Sequence, residues 1–309
     1  AFGFLGGIIS AIIATGLVPI IEILFEYTSD IKLLELANLD QPLMRKLMIE
    51  APGTYHHSVI VGNMVEAAAA EIGANPLLAK VCGYYHDIGK IRKPAYFIEN
   101  QTGGRNRHDK LAPSMSALIL ISHVKDGVEL AAKEGLPEPL VDVIREHHGT
   151  SVMEFFYNRA AEEAESPDDI SKGDYSYPGP RPRSKESAII ALADTIEARI
   201  RSIGDSVTPK RIEAEIEEII ERRWHDHQLD DAELTLSDLR KIREAFFRVL
   251  AGMYHQRIKY PDQDNGEGGG GGTEAAPPND TDGPVSDSSE SAAESKDGPD
   301  AGEKYEDAA

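Results

Sequence analysis

Apolar residues recur at helical spacing through most of the chain. One stripe contains His57, Val61, Met64, Val65, Ala68 and Ile72, and similar stripes lie within residues 140–148, 212–220 and 239–253. The pattern contains no convincing strand alternation and no internal repeat. The sequence therefore predicts an all-α fold in which each helix buries one apolar face.

The first 25 residues differ from the rest in lacking charge. No charged side chain occurs between Ala1 and Ile21, and about 20 apolar residues suffice to span a bilayer as a helix. We therefore predict a transmembrane helix over residues 1–25. The alternative is a buried helix of a soluble domain. Because the chain starts at Ala1 and not at a methionine, we expect this helix to be the last of several.

Three further regions follow. Residues 26–50 are predicted to form a connecting helix, and residues 51–260 a helical domain that contains a long irregular loop at 157–183. Residues 261–309 are rich in Gly, Pro, Ser, Asp and Glu and contain almost no large apolar groups. Such a segment cannot bury enough surface to offset its loss of entropy, which predicts a disordered acidic tail.

The charge of the chain is uneven. The formal net charge is −21, of which −12 (14 acidic and 2 basic residues) lies from Pro261 to the end. No long basic run is present, which argues against a broad nucleic-acid surface and therefore against DNA or RNA polymers as partners. Cys82 is the sole cysteine, so no intrachain disulfide can form, as is typical of a reducing compartment.

Histidine and aspartate provide the candidate chemistry. They occur as His57 in YHHS, His86-Asp87 in YYHDIGK, His123 in LISHVKDG, His147-His148 in REHHGT, and Asp194 in ALADTIEAR. Imidazole and carboxylate groups together suit divalent transition-metal ions. A single histidine on an apolar face is more often a hydrogen-bonded core residue. The joint pattern on at least five predicted helices has no such explanation and indicates a metal site.

The helical register separates neighbouring histidines. His57 shares the apolar face of its helix, whereas His56 is rotated by about 100° and should point elsewhere. His147 and His148 both follow Ile144 at helical spacing, so both can face inward. His108, in the polar string RNRHDK, is predicted to be a loop residue.

The motifs in this order resemble the HD-domain phosphohydrolase superfamily. The segments APGTYHHS, YYHDIGK, PAYFIENQ, SHVKDG, REHHGT and ALADTIEAR further resemble the seven-transmembrane HD proteins, the PgpH-type cyclic di-AMP phosphodiesterases. The resemblance covers roughly residues 1–255. It implies an HD-domain helical bundle after a membrane helix, in a multi-pass protein of the cell membrane whose HD domain lies in the cytoplasm.

The resemblance also implies a site for two divalent ions, iron or manganese. When the family's motifs are matched to this sequence, one ion is coordinated by His57, His86, Asp87 and Asp194. The other is coordinated by Asp87, His123, His147 and His148. Asp87 is then the bridge, and the nucleophile is a bridging hydroxide that the metals activate. Lys90 is the second candidate catalytic residue because its ammonium can lie near a phosphate, although it can equally be a surface lysine at a helix end.

Cyclic di-AMP is the expected substrate and pApA the expected product. The candidate substrate-binding residues are Lys90, Asn100, Glu146, Arg183 and Ser187. Three alternatives stay open: another HD activity (a nucleotidase or a cyclic di-GMP phosphodiesterase, although a GYP-type motif is missing), a nucleotide-binding sensor without catalysis, and a structural helical adaptor. The oligomeric state is also open, with a homodimer among the options.

Overall fold

A computed structural model of the chain describes residues 2–25, 28–101, 103, 106–166, 169–204 and 207–255. The helices within these ranges are α1 (Phe2–Phe25), α2 (Asp30–Leu36), α3 (Pro42–Glu50), α4 (Pro52–Ile72), α5 (Pro76–Tyr85), α6 (Pro113–Lys133), α7 (Glu138–Glu146), α8 (Glu154–Glu163), α9 (Lys185–Ile203), α10 (Pro209–His225) and α11 (Leu236–His255). The described residues contain no strand, only an isolated antiparallel bridge between Val152 and Ser176. The prediction of an all-α fold is confirmed.

Local sequence signals account for where many of these helices begin. Proline occupies the first helical position of α3, α4, α5, α6 and α10, where its missing N–H has no intrahelical partner in any case. The side chains of Asn75 and Thr208 accept hydrogen bonds from the first turns of α5 and α10. Ser184 and Ser187 cap the start of α9 reciprocally.

The main core surrounds α4. This helix packs against α3, α5, α9 and α11. Leucines from α2 and α3 enter the same core: Leu33, Leu36, Leu43 and Leu47 are all buried, and each such burial contributes roughly 1.5–3 kcal/mol. The connecting helix predicted over residues 26–50 is therefore corrected to two short helices that pack as part of the bundle.

A smaller core lies between α6, α8 and the segment that follows α8. It contains Phe97, Ala117, Leu120, Val124, Met153, Phe156, Ala160, Tyr175 and Tyr177. The prediction of an irregular loop over 157–183 is wrong for its first residues, because α8 continues to Glu163. A 3₁₀ turn also forms within the segment, at Lys172–Tyr175. Phe156 and Ala160, four residues apart, bury one face of α8 and so stabilise the helix.

Two predictions concern the ends of the chain. Within the described residues, no helix combines the length and the apolar character that crossing a membrane requires. The transmembrane role of residues 1–25 therefore stays a prediction. The acidic tail predicted over residues 261–309 lies outside the described residues.

A close backbone contact joins the turn after α5 to α6. A Cβ atom on Gly89 would overlap the carbonyl oxygen of His123 and approach the amide nitrogen of Gly127. Glycine is therefore required at position 89, because the obstructing atoms belong to a helix backbone and cannot rotate away. The contact fixes the distance between Asp87, two residues earlier, and His123.

Gly89→Ala should consequently destabilise the protein by about 1–3 kcal/mol, as overpacking of a rigid interior does. Urea denaturation followed by circular dichroism measures the free energy of unfolding. Gly252→Ala is the matched control, since Gly252 lies in α11, where an added Cβ atom would meet no heavy atom of the described residues within 4 Å. Alanine there should be neutral or stabilising. Equal stability of the two variants would contradict the close contact.

Candidate metal centre

Five helices and the turns at their ends deliver the candidate ligands to one place. His57 lies in α4, His123 in α6 and Asp194 in α9. His86 ends α5 and Asp87 begins the following 3₁₀ turn, whereas His147 and His148 follow α7 directly. All seven side chains are buried. The structure thus brings together every residue that the sequence predicts as a metal ligand.

The seven side chains form two groups that share Asp87. One group is His57, His86, Asp87 and Asp194, and the other is Asp87, His123, His147 and His148. In each group, one potential ligand atom per residue lies within 4.8 Å of all the others. This division is the one that the resemblance implies.

The two carboxylate oxygens of Asp87 face different groups. Asp87 Oδ2 lies 3.8 Å from His57 Nε2 and 3.4 Å from His86 Nε2. Asp87 Oδ1 lies 3.4 Å from His123 Nε2 and 3.7 Å from His147 Nε2. One carboxylate can therefore offer one oxygen to each of two cations.

Asp194 completes the first group. Its Oδ1 lies 3.0 Å from His57 Nε2 and 3.8 Å from His86 Nε2, and its Oδ2 lies 3.7 Å from His148 Nδ1. The carboxylates of Asp87 and Asp194 thus face the imidazoles of the first group from two sides.

Hydrogen bonds orient four of the imidazoles through Nδ1. His86, His123 and His147 donate to the carbonyl oxygens of Gly83, Leu120 and Ile144 at 2.8, 2.6 and 2.9 Å, and His57 donates to the carboxylate of Glu197. With the proton on Nδ1, the Nε2 lone pair points into the cluster. Such bonds fix the ring and its tautomer in metal sites.

Several buried atoms of the cluster have no hydrogen-bond partner among the described residues. They are Nε2 of His57, His86 and His148 and both carboxylate oxygens of Asp87, of which Oδ2 is ion-paired with Lys90. Burying a polar group without a partner is costly, so native proteins rarely do it. A cation would be bound by these lone pairs and would remove the cost. The residues present therefore fit a pair of metal ions.

The electrostatics favour the same ligand forms. Burial raises the pKa of Asp87, but Lys90 and His86 outweigh it and hold that pKa well below its usual range. Burial lowers the pKa of His123 to about 4 and that of His148 well below its ordinary value. At neutral pH the site thus presents an ionised carboxylate and neutral imidazoles at these positions.

His86 shows how strongly the carboxylates attract positive charge. Burial lowers its pKa, yet Asp87 and Asp194 together raise it to about 10. The same field acts on any cation at this position. Metal binding here must therefore release a proton, as is usual for histidine ligands.

Three side chains that contact the ligands or Lys90 were not predicted from the sequence. Glu197 accepts from His57 and from Arg201, the latter at 2.6 Å. Its position three residues after Asp194, on the same side of a helix, was the signal that could have revealed it. Tyr177 stacks on His148 with ring centroids 4.1 Å apart, and Glu99 pairs with Lys90; neither had a local signal.

Lys90 lies inside the site and is not a surface lysine. Its Nζ is 2.8 Å from Asp87 Oδ2 and 3.0 Å from Glu99 Oε1. Burial lowers the pKa of Lys90, but Asp87 and Glu99 raise it above its ordinary value, so the ammonium stays charged. Glu99 also accepts from Thr54 Oγ1 at 2.9 Å, which anchors this pair to α4.

The other four candidate substrate residues bond within the protein. Asn100 exchanges two hydrogen bonds with Thr54. Glu146 accepts from the backbone and side chain of Arg183 and from Ser187 Oγ. These bonds occupy polar atoms of Asn100, Glu146 and Ser187, whereas the Arg183 side chain is 56% exposed and bonds to Glu146 through Nε. A substrate role for the four residues stays a prediction.

A cavity opens beside the first ligand group. Its lining includes His57, Asp194 and Lys90, together with aromatic rings and two arginines: Tyr96, Phe97, Phe155, Phe156, His108, Arg159 and Arg201. Asn100, Glu146, Arg183 and Ser187 do not line this cavity. A ligand that carries both negative charge and flat rings would find complementary groups here.

Two other histidine predictions can be compared with the structure. His56 is exposed and His57 is buried, as the register predicted. His108 is correctly placed outside the long helices, in a 3₁₀ turn at Arg107–Lys110. However, only 5% of its surface is exposed, which its polar sequence context did not indicate.

Sequence comparison identifies the family. The HD domain family matches residues 54–199. The cyclic-di-AMP phosphodiesterase PgpH of Listeria monocytogenes serotype 1/2a (strain 10403S) is 43% identical over 261 residues, which are 84% of this chain and 36% of that protein. PgpH of Bacillus subtilis (strain 168) is 45% identical over 260 residues, with the same coverage of 84% and 36%. The chain thus spans about a third of the length of these relatives.

Solved structures agree with the sequence comparison. The HD domain of the L. monocytogenes phosphodiesterase PgpH matches with a TM-score of 0.66 and 42% identity, over 70% of this chain and 100% of that one. The same domain in complex with cyclic di-AMP matches with a TM-score of 0.67, 42% identity and the same coverage. The chain therefore belongs to the HD-domain family, of the PgpH type.

Proposed function

We propose that this chain is a metal-dependent phosphodiesterase that hydrolyses cyclic di-AMP to pApA. The observation that carries the proposal is the pair of ligand groups joined by the two oxygens of Asp87. The substrate is supported by the relatives, since the matching HD domain of L. monocytogenes PgpH was crystallised with cyclic di-AMP.

We further propose two divalent ions, iron or manganese, as the cofactors. His57, His86, Asp87 and Asp194 would hold one, and Asp87, His123, His147 and His148 the other. Mixed imidazole and carboxylate donors suit these metals. Bound together, two such ions neutralise phosphodiester charge and lower the pKa of water enough to provide a nucleophile at neutral pH.

The chain's own residues bind and orient the substrate. Lys90 retains its proton because Asp87 and Glu99 raise its pKa, so it acts as a cation for a phosphate oxygen and not as an acid. Arg201, which lines the same cavity, adds a second positive charge near His57. The burial of all seven ligands excludes bulk water and strengthens these electrostatic interactions.

Membrane attachment through α1 is also part of the proposal. The apolar side chains of this helix are exposed: Phe4 by 78%, Ile12 by 67% and Leu24 by 72%. An apolar helix whose side chains face outward needs an apolar environment. We place the ligand cluster in the cytoplasm of a multi-pass protein of the cell membrane, where a cyclic dinucleotide is accessible.

Turnover by the purified whole chain tests the proposed activity. With Mn²⁺ or Fe²⁺ loaded, the chain should convert cyclic di-AMP to pApA, and liquid chromatography measures the product. A chelator should abolish the reaction. Cyclic di-GMP, nucleoside monophosphates and an RNA oligonucleotide form the comparison panel. The proposal fails if the metal-loaded chain turns over RNA or monophosphates and leaves every cyclic dinucleotide intact, or if it turns over nothing.

Metal content tests the ligand assignment at His57. His57→Ala should lose about half of the bound metal, because it removes a ligand from one of the two groups. His56→Ala is the matched control, since it removes the adjacent but exposed imidazole and should leave the metal content unchanged. Plasma mass spectrometry counts the ions per chain, and circular dichroism verifies the fold. Equal losses in the two variants would refute the assignment.

Glu197 tests the orientation of His57. Glu197→Gln removes the carboxylate that holds His57 Nδ1–H and should weaken metal affinity by about 10–100-fold. Glu215→Gln is the control, because Glu215 is equally buried and is ion-paired with Arg199 and Arg211, away from the seven ligands. Competition with a metal-binding dye measures both affinities. A loss of affinity as large in Glu215→Gln would mean that Glu197 has no special role.

A further inference from the structure

A buried histidine outside the ligand set has an unpaired nitrogen. His108 donates from Nε2 to the carbonyl oxygen of Tyr96 at 2.8 Å, but its Nδ1 is buried without a hydrogen-bond partner in the described part of the chain. A carbonyl oxygen can only accept, so the proton resides on Nε2. Burial lowers the pKa of His108 against the opposing effects of Tyr96 and Asp109, which keeps the ring neutral at neutral pH. Nδ1 therefore offers a lone pair.

The same ring lines the cavity that reaches the metal centre. His57 and Asp194 line the same cavity as His108. Phe156 and Tyr96 flank His108, with ring centroids 5.5 and 5.6 Å away. The polar side chains of Asn106, Asp109 and Arg159 line the same cavity. Flat apolar walls with a few hydrogen-bonding groups are the usual surroundings of a bound nucleobase.

Two of the three Lys and Arg side chains that line the cavity pair with groups of the metal centre. Lys90 pairs with Asp87, and Arg201 pairs with Glu197, which itself bonds to His57. Lys90 and Arg201 are thus tied to the ligand cluster, whereas Arg159 pairs with Glu163. The lone pair of His108 would repel a phosphate oxygen and attract an N–H group, so the aromatic rings around His108 are suited to a base.

We propose that His108 determines base specificity, with its Nδ1 accepting a hydrogen bond from the exocyclic amino group of an adenine. The proposal rests on the proposed function, because it takes cyclic di-AMP as the substrate. Adenine carries an amino donor at C6, whereas hypoxanthine and guanine carry a carbonyl acceptor there. An acceptor opposite His108 Nδ1 would leave both groups buried and unpaired, which strongly disfavours such a substrate.

Cyclic di-IMP, which replaces each amino group by a carbonyl, tests this hydrogen bond without any mutation. The wild-type chain should show a kcat/KM for cyclic di-AMP at least about tenfold above that for cyclic di-IMP. His108→Phe, which keeps an aromatic ring and removes the acceptor, should lose at least about tenfold on cyclic di-AMP, chiefly through KM, and little on cyclic di-IMP. The ratio between the two substrates should collapse toward one.

Two further variants serve as controls. His108→Gln supplies an amide oxygen as a replacement acceptor and should retain part of the preference for cyclic di-AMP. His225→Phe changes an exposed histidine on α10 and should leave both rates unchanged. Circular dichroism and metal content establish that each variant is folded and loaded.

Binding of mononucleotides supplies a readout that does not depend on turnover. By calorimetry, AMP should bind the wild-type chain more tightly than IMP, and His108→Phe should remove the difference. The inference is overturned if the wild type prefers cyclic di-IMP or cyclic di-GMP, or treats AMP and IMP alike, or if folded His108→Phe keeps the wild-type ratio. A wild type that discriminates AMP from IMP but hydrolyses no cyclic dinucleotide would refute the proposed activity and retain the base site.

Discussion

The buried carboxylate of Asp87 is the interaction on which the rest of the site depends. Its two oxygens face two sets of imidazoles, and Lys90 lies 2.8 Å from one of them. A carboxylate so deeply buried is stable only with cations or hydrogen-bond donors around it. The close approach of Gly89 to the backbone of α6 fixes where this carboxylate lies relative to His123. The close contact at Gly89 is therefore needed to position the ligand cluster.

The imidazoles are held in two physically different ways. His86, His123 and His147 each donate to the carbonyl oxygen three residues earlier, so local helix geometry orients them. His57 instead depends on Glu197, which is 140 residues away in the chain. The second ligand group is therefore oriented largely by local structure. The first also requires α4 and α9 to pack correctly, which makes Glu197 the point where folding and metal binding are coupled.

Predictions from the sequence succeeded where periodicity carries the information. The spacing of apolar residues predicted the helices and separated buried His57 from exposed His56. It did not reveal burial that comes from distant segments. His108 was predicted as a loop residue, and Tyr96 and Phe156 lie close to its ring. The first turns of the predicted loop at 157–183 are helical because Phe156 and Ala160 pack into a second core that no local pattern reveals.

The charges around the cluster bear on how an acidic chain could bind the proposed anionic substrate. The carboxylates of Asp87, Asp194, Glu197 and Glu99 outnumber the cations Lys90 and Arg201 that pair with them, even when the metal-free site also holds a protonated His86. This imbalance attracts metal cations and repels phosphate. Two divalent ions would reverse the sign, leaving an excess of positive charge that matches the two phosphodiester charges of a cyclic dinucleotide. Under the proposed function we therefore expect metal loading to precede substrate binding.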